Sequence, residues 1–227
     1  MVFSNSVYLP LIISMLLGWF AQWRVHQIYF RYGRIPNKRK IKGMEIAKIL
    51  LAYHRLNIPI LKTKKPMLNY YHPQTKTLHL YEQVSENNSI TSMGIVAHEI
   101  EHAVQDDQGS HFMSFRNKIA RLLAAMGQIS PLVFLGGILF RSMFFIYLGM
   151  ILLFGMVVYA MVSLPIELNA SNRAVKTLKE TGIADQGEIE MVSVVLRHAA
   201  FTYFAGAAQR IGTFLFVVMV MFALHQM

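Results

Sequence analysis

His98-Glu99-Ile100-Glu101-His102 sets two imidazoles one helical turn apart, with a carboxylate beside the first. Positions i and i+4 of an α-helix share a face, so both rings can reach one metal ion. Nitrogen donors of this kind suit zinc, which in catalytic sites takes three protein ligands and keeps a fourth position for water. Glu99 can then accept a proton from that water as it attacks a carbonyl. In a chain with nine histidines, chance gives this pattern on the order of once in a hundred sequences. Charged side chains inside an otherwise apolar helix also need a reason, and a metal supplies one.

A third ligand is required, and the absence of cysteine limits it to nitrogen or oxygen. A three-histidine arrangement would need glycine at 105 and histidine at 108, where the chain has Gln105 and Gln108. His111 reads as a loop histidine. Glu101 points round from the His98–His102 face and reads as solvated or paired surface decoration. Glu167 remains, in Pro165-Ile166-Glu167-Leu168-Asn169-Ala170-Ser171-Asn172-Arg173-Ala174. Here a carboxylate follows an apolar run and opens a helix. Ala170 would allow close approach to the histidine helix, and Ser171 could hydrogen-bond a ligand histidine. The alternative is a first-turn glutamate favoured by the helix dipole, and the local pattern leaves both open. Arg173 is expected to pair with a carboxylate.

The elements that must position these groups can be read from periodicity. A helix is expected over 43–56, ended by Pro59 and Pro66. Two short strands around a Pro73 turn are expected over 69–80, with Leu78 and Leu80 alternating. The histidine helix runs over 90–108, with Gly109 as its stop. Apolar runs cover 7–23, 122–140, 143–164 and 211–224. The middle two would be about 28 and 33 Å long as helices, enough for two spans joined at Arg141-Ser142; the competing reading is a single span over 131–164. If Glu167 shares a metal with His98 and His102, the intervening chain crosses an even number of times, which favours the hairpin. The expected layout is an anchor helix at 1–23, a polar part with strands and the histidine helix at 24–118, the hairpin at 119–164, the third-ligand helix and its successor at 165–209, and a last span at 210–227.

The chain has 227 residues, 54% of them apolar and 15% charged, with net charge +10. That composition excludes disorder and is too apolar for an ordinary soluble domain. Sixteen of the 22 Lys and Arg lie between Arg24 and Arg121, flanking apolar runs. Basic flanks predict a cytoplasmic loop in contact with anionic lipid, with the N-terminus outside, rather than nucleic-acid binding. Nothing positive precedes residues 7–23, and no small-residue cleavage site follows, so a retained anchor is expected rather than a signal peptide.

Taken in order, Tyr71-His72-Pro73, Leu78 and Leu80, Ala97-His98-Glu99, His102-Ala103-Val104-Gln105, Pro165-Ile166-Glu167, Ala170-Ser171, Arg173-Ala174 and Thr202-Tyr203 resemble integral-membrane gluzincin peptidases. The pattern is most similar to the YugP-like membrane zinc metallopeptidases and covers nearly the whole chain. The resemblance implies zinc on His98, His102 and Glu167, with Glu99 as general base. It also implies a mainly α membrane protein of about four transmembrane helices, with a small α+β zincin-like domain at the cytoplasmic face of the cell membrane. The layout is similar to HtpX-like proteases, which carry Asp where this chain has Ser171. The expected activity is hydrolysis of peptide bonds in membrane or membrane-adjacent proteins; the alternative is a catalytically silent zinc-binding module. His198 and Tyr203 are candidate donors to the oxyanion, each against a structural reading as a helix-surface histidine or an interfacial tyrosine. The strand around 77–80 is a candidate edge for an extended peptide.

Overall fold

The computed structural model describes residues 5–66 and 68–225. The chain orders as α1 (Leu9–Gly33), α2 (Gly43–Tyr53), β1 (Ile60–Thr63), β2 (Tyr70–His72), β3 (Thr77–Tyr81), α3 (Glu82–Glu86), α4 (Ile90–Asp107), α5 (His111–Leu139), α6 (Met143–Glu180) and α7 (Gln186–His225). It divides into two compact units, one of Trp23–Ser114 and Ile166–Ala200, the other of Met1–Gln22, Phe115–Pro165 and Phe201–Met227.

The first unit packs helices against a three-stranded sheet of order β1-β3-β2. β1 runs parallel to β3, with Ile60 opposite Leu78. β2 runs antiparallel to β3, with Tyr71 opposite Leu78. The 77–80 strand is therefore central, and both its edges are taken. The expectation that it offers an edge to substrate is overturned, because β1 occupies that side. Sequence reading misses β1, whose four residues lie between two prolines and carry no alternation.

Alternation in β3 sends Leu78 and Leu80 into the core, where they meet Ile46, Leu50, Ile90, Met93, Val96 and Ile100. Each such buried side chain is worth about 1.5–3 kcal/mol of transfer free energy. α4 starts where the Ser89 hydroxyl accepts the Ser92 N–H at 3.2 Å, satisfying one orphan donor of the first turn. It stops at Gly109, whose φ of +64° is accessible at little cost only without a side chain. α2 crosses α3 so closely that a Cβ on Gly43 would lie 2.2 Å from the Val84 carbonyl oxygen.

In the other unit, α5 and α6 are separate helices joined by a turn at residues 140–142, with Arg141 at φ +50°. Their packing is close: a Cβ on Gly149 would meet the Phe134 backbone at 2.9 Å. The long single helix over 131–164 is thus excluded in favour of a helical hairpin. Large apolar side chains face outward here, among them Trp19, Leu132, Leu139, Phe140, Phe144, Ile151 and Phe222. Apolar surface on this scale marks an interaction face rather than an ordinary solvated one. Among the described residues, two helices are long and apolar enough to cross a membrane, Met143–Glu180 and Gln186–Phe222.

α6 also corrects the expected helix start at Glu167. The helix continues through Pro165 to Glu180. Proline there removes one N–H from the ladder without ending it.

Candidate metal centre

His98 and His102 sit on one face of α4 with 8% and 6% of their surfaces exposed. Their helix is held by its apolar face in the core, so the imidazoles are aimed by packing. Glu167, from the middle of α6, is 5% exposed and meets both. Its Oε2 lies 3.2 Å from His98 Nε2 and 3.3 Å from His102 Nε2. A first-turn glutamate stabilised by a helix dipole is excluded, since residue 167 lies well inside a helix.

Gln105 determines which nitrogen of His102 is bare. Its side-chain nitrogen lies 3.1 Å from the Ile166 carbonyl, which can only accept, and 3.0 Å from Asn169 Oδ1. The amide is thereby oriented, and its oxygen faces His102 Nδ1 at 3.0 Å. Nδ1–H must donate, which leaves Nε2 with a free lone pair toward Glu167. Ser171 Oγ stands 3.3 Å from His98 Nδ1 and can accept its hydrogen in the same way. Two lone pairs and a carboxylate oxygen then converge in a buried pocket, a donor set that calls for a cation.

The spacing fits zinc. Bonds of about 2.0–2.1 Å in a tetrahedral site put neighbouring ligand atoms about 3.3 Å apart. The two nitrogen–oxygen separations, 3.2 and 3.3 Å, match that edge. These are also the described His, Asp and Glu residues whose donor atoms all lie within 4.8 Å of one another.

Glu99 is half-buried beside this group. The backbone N–H of Tyr71 in β2 donates to its Oε2 at 3.2 Å. The Tyr71 hydroxyl donates to Asp106 at 2.8 Å, so one residue clips β2 to α4 at two points. Burial and the Asp106 carboxylate together push the Tyr71 phenol well up, keeping it neutral.

Glu101 is not surface decoration; it is 1% exposed. Arg173 Nε donates to it at 2.8 Å, Thr177 Oγ1 at 2.6 Å, and His54 Nε2 lies at 3.1 Å. Burial pushes its carboxyl up, but hydrogen bonds from His54, Thr177 and Arg173 outweigh burial and hold it below the usual range. Arg173 pairs with a carboxylate, as expected, and also donates to Gln108 Oε1 at 2.8 Å. Two ligand-bearing helices are thus tied together on the side away from the metal.

His198 Nδ1 donates to the Val194 carbonyl of its own helix at 2.8 Å. Tyr203, 44% exposed, belongs to the other unit. Position 111 opens α5, and the His111 side chain lies outside the described residues. Gln105 carried a signal that sequence reading missed: an amide at i+3 from a ligand histidine, inside a buried helix face.

A family model described as "Putative neutral zinc metallopeptidase" matches residues 7–222. The "Putative membrane protease YugP" of Bacillus subtilis (strain 168) is 30% identical over 197 residues, covering 86% of this chain and 88% of that protein. No solved structure matches the chain.

Proposed function

The chain belongs to the family of that "Putative neutral zinc metallopeptidase" model, and from this premise we propose an integral-membrane zinc endopeptidase of gluzincin type acting on membrane or membrane-adjacent proteins. The observation that carries the reading is the convergence of His98, His102 and Glu167 with the His102 tautomer fixed by Gln105. Zinc is the family's metal; held by these three residues, it would supply a Lewis acid facing the scissile carbonyl. Glu99 takes a proton from the attacking water as its oxygen bonds to the carbonyl carbon. It returns that proton to the amine nitrogen as the C–N bond breaks. The Tyr71 N–H holds the carboxylate for both transfers. A silent binding module has no use for a base so held, which disfavours that alternative.

Substrate backbone would pair along β2, the sheet edge at Glu99. The Leu78 N–H is given to Pro59 on the β1 side. Tyr71, opposite Leu78, therefore turns its own N–H and carbonyl to the outer edge, where Glu99 takes the N–H and the carbonyl would face substrate. His198 and Tyr203 are the candidate oxyanion donors. We assign four spans from the four apolar runs, with the N-terminus outside and the catalytic residues on the cytoplasmic side, on the distribution of basic residues and the outward apolar side chains.

Zinc content of the detergent-purified protein tests the ligand set. Wild type and Glu99→Gln should hold about one zinc, as a single catalytic site requires, and Glu167→Ala should lose most of it. Retention of zinc by Glu167→Ala would overturn the ligand set and the class with it.

A further inference from the structure

Tyr29 has no part in the mechanism above, yet its helix is seated on the metal face of α4. Asn37, Pro36, Ile35 and Tyr29 meet Asn88, Ser89, Ile90 and Thr91 in turn. The end of α1 and the start of α4 therefore run in opposite senses. In the last of these contacts the Thr91 hydroxyl donates to the Tyr29 carbonyl at 3.2 Å. With Thr91 at i, His98 falls at i+7 and His102 at i+11, on one face of the helix. α1 is thus anchored on the face that carries the histidines, about two turns before the first of them.

Side chains on a helix lean toward its N-terminus. For Tyr29 that direction runs along α4 toward Glu99. The ring packs against the apolar core. Burial, and after it the charge of the Glu99 carboxylate, push the phenol up to about 12. The hydroxyl is near enough to feel the base, and it stays a neutral donor. Among the described residues none takes up its hydrogen. Between Ile90 and Gln105 the half-buried positions of α4 are Ile95 and Glu99, one turn apart. The site opens there, on the stretch of helix that the phenol approaches.

We propose that Tyr29 is a catalytic residue of the peptidase. Its hydroxyl donates a hydrogen bond to the oxygen of the tetrahedral carbon that forms when water adds to the scissile carbonyl. The phenol O–H bond stays intact, and Glu99 alone moves the proton. Tyr29 shares a unit with His98, Glu99, His102 and Glu167. Tyr203 lies in the other unit, and His198 gives its Nδ1 hydrogen to Val194. The inference rests on the peptidase reading and supplies an oxyanion donor from the unit that holds the metal ligands.

The test uses the full-length, zinc-loaded protein in detergent and two dipeptide probes of the same Leu-Trp sequence, with affinity read by calorimetry. One carries an N-phosphoryl group, whose tetrahedral oxygens stand in for the tetrahedral carbon. The other carries a thiol, which offers no such oxygen. Tyr29→Phe should weaken the phosphoryl probe at least about tenfold. The thiol probe, zinc content and thermal stability should keep their wild-type values. Tyr29→3-fluorotyrosine, a stronger donor of nearly the same shape, should tighten the phosphoryl probe and not the thiol probe. A phosphoryl affinity indifferent to either change overturns the assignment, as does equal weakening of both probes. If zinc-loaded wild type takes neither probe, the peptidase reading falls, and the role of Tyr29 falls with it.

Discussion

Glu99 and Glu101 are the same residue type two positions apart on one helix, yet they live in opposite environments. Glu99 is half-buried and accepts a backbone N–H from β2. Glu101 is 1% exposed and is bonded to Arg173, Thr177 and His54. A carboxylate that must exchange protons needs an open side. One that must hold two helices together needs all its lone pairs filled. The contrast teaches that helix phase sorts side chains by direction, while the neighbouring helix decides whether a direction means water or protein.

Exchanging the two roles by mutation should separate them. Glu99→Gln should lower peptide hydrolysis by about 10²–10⁴-fold, the usual worth of a general base, with thermal stability and zinc content unchanged. A fall in stability would move Glu99 into the structural class. Glu101→Ala strands Arg173 and His54 around a vacated acceptor and should cost about 3 kcal/mol, as breaking a buried pair does. Chemical denaturation reads this directly, and a change under about 0.5 kcal/mol would return Glu101 to the surface class.

Two subtler changes sharpen the contrast. Gln105→Leu frees the His102 ring and should reduce zinc affinity about 10–100-fold, measured by competition with a chelator; Ser171→Ala should fall at the low end of that range. pH then separates the carboxylates without removing an element. Glu101 has its folded pKa depressed, so its contribution is present above the unfolded glutamate value of about 4.3 and is lost as pH falls through the folded value. The acid limb of thermal stability should therefore be shallower in Glu101→Gln than in wild type, and equal slopes would count against the network.

The legible part of the site was the local part. His98, Glu99 and His102 declare themselves because one helical turn relates them. Glu167, 65 residues beyond His102, was reachable by elimination, yet its setting was misread because Pro165 suggested a helix start. The proline instead rides inside a continuous α6, which gives up one hydrogen bond there without ending. Gln105 was seen as the glycine that was not there, since tautomer control depends on a carbonyl from a distant helix. Glu101 lies off the metal face, and of the two settings its sequence leaves open, solvated or paired, it takes the paired one, buried rather than on the surface. For the fold, β2, β3 and α4 follow from alternation, turn residues and helical periodicity ended by Gly109. β1 escaped because a parallel edge strand of four residues carries no pattern of its own.

The ligand order along the chain has a consequence in time. A ribosome adding roughly 5–20 residues per second takes about 3–13 seconds to travel from His102 to Glu167. During that interval the nascent chain carries His98, Glu99 and His102 without Glu167. Arg173 and Thr177, which close the clamp on Glu101, emerge later still. The His98–His102–Glu167 group is therefore completed only after the hairpin between its members has been made.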